Sequence, residues 1–207
     1  MNSSYDITDL DTLVSLYSKP HPAAVNKMCT ELDEAMSEFI AQSPLLILST
    51  LSAEGQLDCS PKGDAPGFVA IEDKKTLLIP DRPGNNLIES FRNLVVNKQI
   101  GLFFIVPKLR ETLRIKGVAT LSNDPELLQR FSVRGKPARL CTKVKIESVY
   151  FHCGKAMIRS NMWKPEEWAS PSSSPIVKQG AKKMPHLENA EEKVSEFLEN
   201  SYRDDLY

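Results

Sequence analysis

The chain has 207 residues, 41% of them hydrophobic, and a formal charge of −1. That is enough for one core-forming domain, and no apolar run reaches the roughly 18–20 residues that a membrane-spanning helix needs. Cys29, Cys59, Cys141 and Cys153 form no Cys-x-x-Cys pair and His21, His152 and His186 have no ligand spacing, so neither a disulfide scaffold nor a metal centre is expected.

The first residues have neither a basic region nor an apolar signal core, which points to a cytoplasmic protein. The near-neutral total hides an asymmetry. Residues 1–60 carry two basic and nine acidic side chains, residues 61–165 nineteen and nine, and residues 166–207 five and nine. The basic middle suggests an anion site, although a solvated surface has the same composition.

In chain order, residues 1–26 read as an arm with at most a short helix near Asp9–Tyr17. From Val25 to Gln42, Met28, Leu32, Met36, Phe39 and Ile40 recur at helical steps, which predicts one amphipathic helix. Leu45–Leu51 reads as a buried strand, Ser52–Gly55 as a hairpin turn, Gln56–Lys62 as the returning strand and Phe68–Glu72 as a third. Thr76–Pro80 is a fourth strand, and a helix begins near Leu87.

Ile100–Pro107 is a central strand by its continuous apolar run. Glu111–Leu121 alternates, with Leu113, Ile115, Val118 and Leu121 inward if Gly117 marks a bulge, and Arg114 and Lys116 on the other face. Asn123 and Pro125 start a short helix, and about Ala138 to His152 is a long strand. His152 beside Cys153 reads as a strand end rather than a catalytic pair. Gly154–Trp163 predicts a helix placing Lys155, Arg159 and Trp163 on one face. Ser170–Pro175 reads as a linker and Glu188–Tyr202 as a charged helix. The fold class is therefore mainly β with flanking helices, barrel-like. The expected division is an arm at 1–26, a domain at 27–165, and a linker with helical tail at 166–207.

One stretch joins strand to helix: Ile79-Pro80-Asp81-Arg82-Pro83-Gly84-Asn85-Asn86. Gly84 permits an unusual backbone, and Asn85 or Asn86 can cap the helix that follows. A guanidinium, two amides and a helix start make a candidate phosphate cradle. An ordinary Pro-Gly turn fits the same residues. No Gly-x-Gly-x-x-Gly, phosphate-binding Gly-Lys loop or Gly-x-Ser-x-Gly elbow is present.

Four blocks in order, Pro61–Val69, Ile79–Asn86, Thr112–Gly117 and His152–Trp163, resemble the pyridoxamine 5′-phosphate oxidase-like flavoproteins. Among these, the chain is similar to a bacterial subgroup with Gly-Asp-Ala-Pro-Gly-Phe-Val and Pro-Asp-Arg-Pro-Gly-Asn-Asn blocks. The resemblance covers roughly residues 30–165 and implies a split β-barrel, a homodimer and FMN at the subunit interface. It implies Lys62, Arg82, Asn85 and Asn86 as the phosphate grip, and Arg114, Lys155, Arg159 and Trp163 reaching the flavin from the neighbouring chain. Arg159 would sit at the N1–C2=O edge of the ring and Trp163 would wall it.

The same residues have simpler readings: Lys62 and Lys155 as solvated cations, Arg114 and Lys116 as outer-face decoration, Trp163 as a barrel plug. The corner lacks the Ser/Thr-Arg-Lys run of the oxidase proper, and the Arg-Leu-Ala-Pro-like ending is absent. The resemblance thus implies an FMN-dependent oxidoreductase acting on an unknown small molecule. The alternative is a non-catalytic binder of flavin, deazaflavin F420 or another phosphorylated ligand. No catalytic acid, base or nucleophile stands out, which fits flavin chemistry. Nucleic acid is not expected as a partner, because the basic stretches 108–116 and 130–145 lack interleaved exposed aromatics.

Overall fold

A computed structural model describes residues 5–170 and 174–207. Its elements are α1 (Leu10–Ser15), α2 (Pro22–Val25), α3 (Glu34–Gln42), β1 (Leu45–Leu51), β2 (Leu57–Gly63), β3 (Ala70–Asp73), β4 (Thr76–Pro80), α4 (Glu89–Val96), β5 (Gln99–Ile105), β6 (Thr112–Ser122), α5 (Pro125–Gln129), β7 (Cys141–His152), α6 (Lys155–Arg159), α7 (Pro175–Lys182) and α8 (Ala190–Asp204). Half of the expected linker, residues 171–173, lies outside the described residues.

The seven strands form one antiparallel sheet in the order β2-β1-β5-β6-β7-β4-β3. The edge strands β2 and β3 do not pair with each other, so the barrel stays open, a split barrel with flanking helices as the sequence led us to expect. Alternation puts Leu46 and Leu48 of β1, Leu102 and Phe104 of β5, Leu113 and Ile115 of β6 and Val149 of β7 into one core. Met36, Phe39 and Ile40 of α3 are buried in it, Phe39 edge-on to Phe151 with ring centroids 5.5 Å apart. Burying each such side chain contributes roughly 1.5–3 kcal/mol.

The first predicted helix is shorter than its periodicity suggested. Asp33 caps α3 by accepting the Met36 N–H at 2.8 Å, and residues before it leave the helix. Cys29 instead exchanges backbone hydrogen bonds with Val149, on the part of β7 that β4 does not reach. Met28 is consequently 61% exposed.

The bulge lies opposite Gly117 rather than on its own strand. Lys116 pairs with Ser148 and Gly117 with Ile146, so the extra residue is Glu147 of β7. β6 keeps its alternation, and Ala119, not Val118, enters the core. β7 switches phase, burying Val144 and Ile146 before the bulge and Val149 after it. A second cluster, Leu127, Leu128 and Ala138 with Leu78 and Cys141, seats α5 against β4 and β7. Pro80, paired with Cys141, then delivers the chain to the 81–88 corner.

Candidate functional site

The corner leaves β4 with the Asp81 N–H donated to the Leu140 carbonyl at 2.8 Å. Its left-handed residues are Asn86 (φ 58°) and Ile88 (φ 50°); Gly84 is not among them, contrary to the sequence reading. A β-branched residue at positive φ costs on the order of 1–3 kcal/mol, so the surrounding structure must hold it. Neither asparagine caps α4. Asn85 accepts the Leu87 N–H at 3.1 Å, Asn86 accepts from Arg139 at 3.1 Å, and α4 begins after Ile88 with no side-chain cap. The Asn85 oxygen shapes the turn and the Asn86 oxygen ties it to Arg139, and the helix starts at 89 rather than 87.

Arg82 is held from two sides. Its Nε–H donates to Asp64 Oδ2 in an ion pair whose side chains are 16% and 5% exposed, and Nη1 donates to the Phe131 carbonyl at 2.7 Å. Asp64 Oδ1 in turn accepts from its neighbour Ala65 N–H at 2.7 Å and from the Tyr207 hydroxyl at 2.8 Å. Burial alone would push the Asp64 carboxyl up. The Tyr207 hydroxyl, the Ala65 N–H and the Arg82 guanidinium together outweigh it and hold the group below the ordinary aspartate range. Among the described residues nothing accepts from Arg82 Nη2.

Two cavities of about 340 Å³ lie on the β2 side of the corner. Lys62, Arg82, Gly84 and Asn85 line both, and Asn86 lines one. Lys62 is half-buried with Nζ 4.9 Å from the Phe91 ring centroid, and no described carboxylate forms an ion pair with it. Burial pushes the Asp81 carboxyl up against the pull of Lys62, Arg139 and Arg82. A third cavity, about 540 Å³, opens on the other side between the corner and the end of α8.

Four of the eight expected site residues therefore meet here: Lys62, Arg82, Asn85 and Asn86. The other four lie elsewhere. Arg114 pairs in register with Tyr150 and stacks on its ring at 5.4 Å, nine residues along β7 from Cys141. That is roughly 30 Å of strand. Lys155 and Arg159 are exposed on α6, and Trp163 is half-buried with its indole N–H donated to the Leu109 carbonyl at 2.6 Å. None of these four lines either corner cavity.

The sequence reading missed Asp64, Tyr207 and Arg139. Asp64 stood in a quoted block, but its partner is 18 positions away, and Tyr207 is 143 positions from Asp64. No local period carries such pairs. Among the described residues no cluster of His, Cys, Asp or Glu could hold a metal ion. Cys141 is buried, and burial pushes its thiol up to about 11, which removes it as a nucleophile at neutral pH. No described helix is long and apolar enough to cross a membrane.

No curated protein matches the chain. Solved structures with a similar fold include a protein described as a candidate pyridoxamine 5′-phosphate oxidase from Lactobacillus delbrueckii, 18% identical, covering 60% of this chain and 98% of that one at a TM-score of 0.49. An F420 reductase is 16% identical, covering 58% and 98% at 0.43. The heme storage protein HutZ from Vibrio cholerae is 15% identical, covering 59% and 94% at 0.42. The sequence model of the pyridoxamine 5′-phosphate oxidase family matches residues 32–153, more than half of the chain, and the chain belongs to that family.

Proposed function

We propose that the protein is an FMN-binding flavoprotein that works as a homodimer in the cytoplasm, gripping the flavin phosphate at the 81–88 corner. The carrying observation is the pair of cations on the wall of one cavity: Arg82, with Nη2 open, and Lys62, without a carboxylate partner. A phosphate carries close to two negative charges, and each charge-assisted hydrogen bond to it contributes about 1.5–3 kcal/mol. Arg82 is held still before any ligand arrives, so little ordering is left to oppose binding. Asn85 and Asn86 accept through Oδ1, which leaves their Nδ2 groups as donors to the phosphate.

The distant group finds its use in a dimer. Arg114, Lys155, Arg159 and Trp163 would face the ring of a flavin held by the partner's corner. Lys155 and Arg159 are exposed, and Trp163 is fixed by its bond to Leu109. Bound flavin would supply hydride or electron transfer to a small molecule. This chain's residues would hold the phosphate, place the ring and exclude water, giving an FMN-dependent oxidoreductase. A phosphorylated deazaflavin would meet the same cations, so the corner selects for phosphate and not between flavins.

Lys62→Ala is the cleaner site test, because Lys62 lies over the Phe91 ring and forms no ion pair among the described residues, its charge acting on Asp81 only at a distance. We expect FMN affinity to fall about tenfold with stability changed by less than about 1 kcal/mol, read by flavin fluorescence titration and thermal melting. Unchanged affinity would remove Lys62 from the cradle. Arg82→Ala is less clean, since it also strands Asp64. Turnover of NADH or NADPH well above that of free FMN separates an enzyme from a binder.

A further inference from the structure

We infer that Tyr207 is a positioning residue for the phosphate corner, acting through Asp64 on Arg82, so that the segment after α8 is part of the flavin site. The inference rests on the reading of the corner as a phosphate grip and extends it to a segment beyond the 32–153 family match.

Three contacts seat Tyr207 on the barrel. Its hydroxyl donates to Asp64 Oδ1 at 2.8 Å, its ring lies 5.1 Å below the Arg134 guanidinium carbon, and its carbonyl accepts from Lys136 at 3.1 Å. The first contact matters for the site. Asp64 Oδ2 is the acceptor for Arg82 Nε–H, so one carboxylate is shared between the tail and the guanidinium. With Oδ1 held by Tyr207 and Ala65, the carboxylate plane cannot swing without breaking two hydrogen bonds. Arg82 is planar and receives its orientation from Asp64 and the Phe131 carbonyl, so Nη2 inherits a fixed direction.

The tail also builds space around the corner. Ser201, Asp204 and Tyr207 form one wall of the 540 Å³ cavity whose opposite wall includes Arg82 and Asn86. Losing the hydroxyl should therefore loosen the grip on phosphate without touching the ring's own contacts.

The test compares two ligands that differ only in phosphate. FMN and riboflavin affinities are measured by fluorescence titration for the 207-residue protein, for Tyr207→Phe and for Tyr202→Phe, a control on an exposed tyrosine of α8. The expected result is that Tyr207→Phe lowers the preference for FMN over riboflavin about fivefold, riboflavin affinity staying the same. Tyr202→Phe should leave the preference unchanged. An unchanged preference in Tyr207→Phe, in a parent that does prefer FMN, overturns the inference and leaves the corner reading intact. A parent with no preference for FMN over riboflavin overturns both.

Discussion

Replacing Asp64 with alanine should lower the stability of the ligand-free protein by about 3 kcal/mol, the typical loss when one member of a buried ion pair is removed and the other is left without compensation. The stranded group is Arg82, 16% exposed and still fixed by the Phe131 carbonyl, so it cannot readily turn out to water. Tyr207 loses its acceptor at the same time. Arg82→Ala should be destabilising by a similar amount, because it buries an unpaired carboxylate. The double variant should then be less destabilised than the sum of the two, by about 1–3 kcal/mol of coupling. Urea midpoints of the four proteins give the answer. Additive losses, or losses under about 1 kcal/mol, would mean that the pair is a surface contact. The conformation of the corner depends on this pair, so the result also bears on the site.

Gly117→Ala has an effect at least as large for a different reason. A Cβ at this position would stand 2.2 Å from the Lys145 carbonyl oxygen and 3.1 Å from its carbon, both backbone atoms of β7. The approach is close because β7 takes its extra residue, Glu147, across from Gly117. Relief requires moving β7 away from β6, along the longest strand pair of the sheet. We expect a loss of about 3 kcal/mol or more, or a protein that does not accumulate in soluble form. In an ordinary strand, alanine for glycine stabilises by about 0.5–1 kcal/mol. A neutral or stabilising Gly117→Ala, by denaturation midpoint, would contradict the bulge geometry.

The strands were legible because burial leaves a local pattern. The apolar runs of β1 and β5 and the Pro/Gly punctuation around β4 gave their positions within a few residues. The corner was legible for the same reason, as prolines and glycine between a strand and a helix. Features that depend on distant partners were not. The helix predicted over Val25–Gln42 divides because Cys29 bonds to the free edge of β7, and no period within the segment encodes that edge. Glu147 as the bulged residue follows from the β6–β7 register, which Gly117 signals only from across the ladder. Helix α7 went unread because Pro175 looked like a linker residue. Proline in the first turn after a serine is equally a helix start.

At the site, residue types were readable and their assignments were not. Arg82 reads as a phosphate ligand, yet two of its nitrogens already have protein partners. Both N–H groups of Nη2 and the second N–H of Nη1 stay available. Asn85 and Asn86 read as caps, yet the Asn85 oxygen closes the turn and the Asn86 oxygen accepts from Arg139. Arg159 and Trp163 do not line the cavities that Lys62 and Arg82 share, and in the proposed function a second chain supplies them.

In the proposed function the corner grips a phosphate carried by a flavin. Titration of the ligand-free protein with FMN and with riboflavin, followed by quenching of flavin fluorescence, tests it most directly. FMN should bind at least about tenfold more tightly than riboflavin, as one or two charge-assisted phosphate contacts require. Equal affinity for the two, or no binding of either, would contradict it.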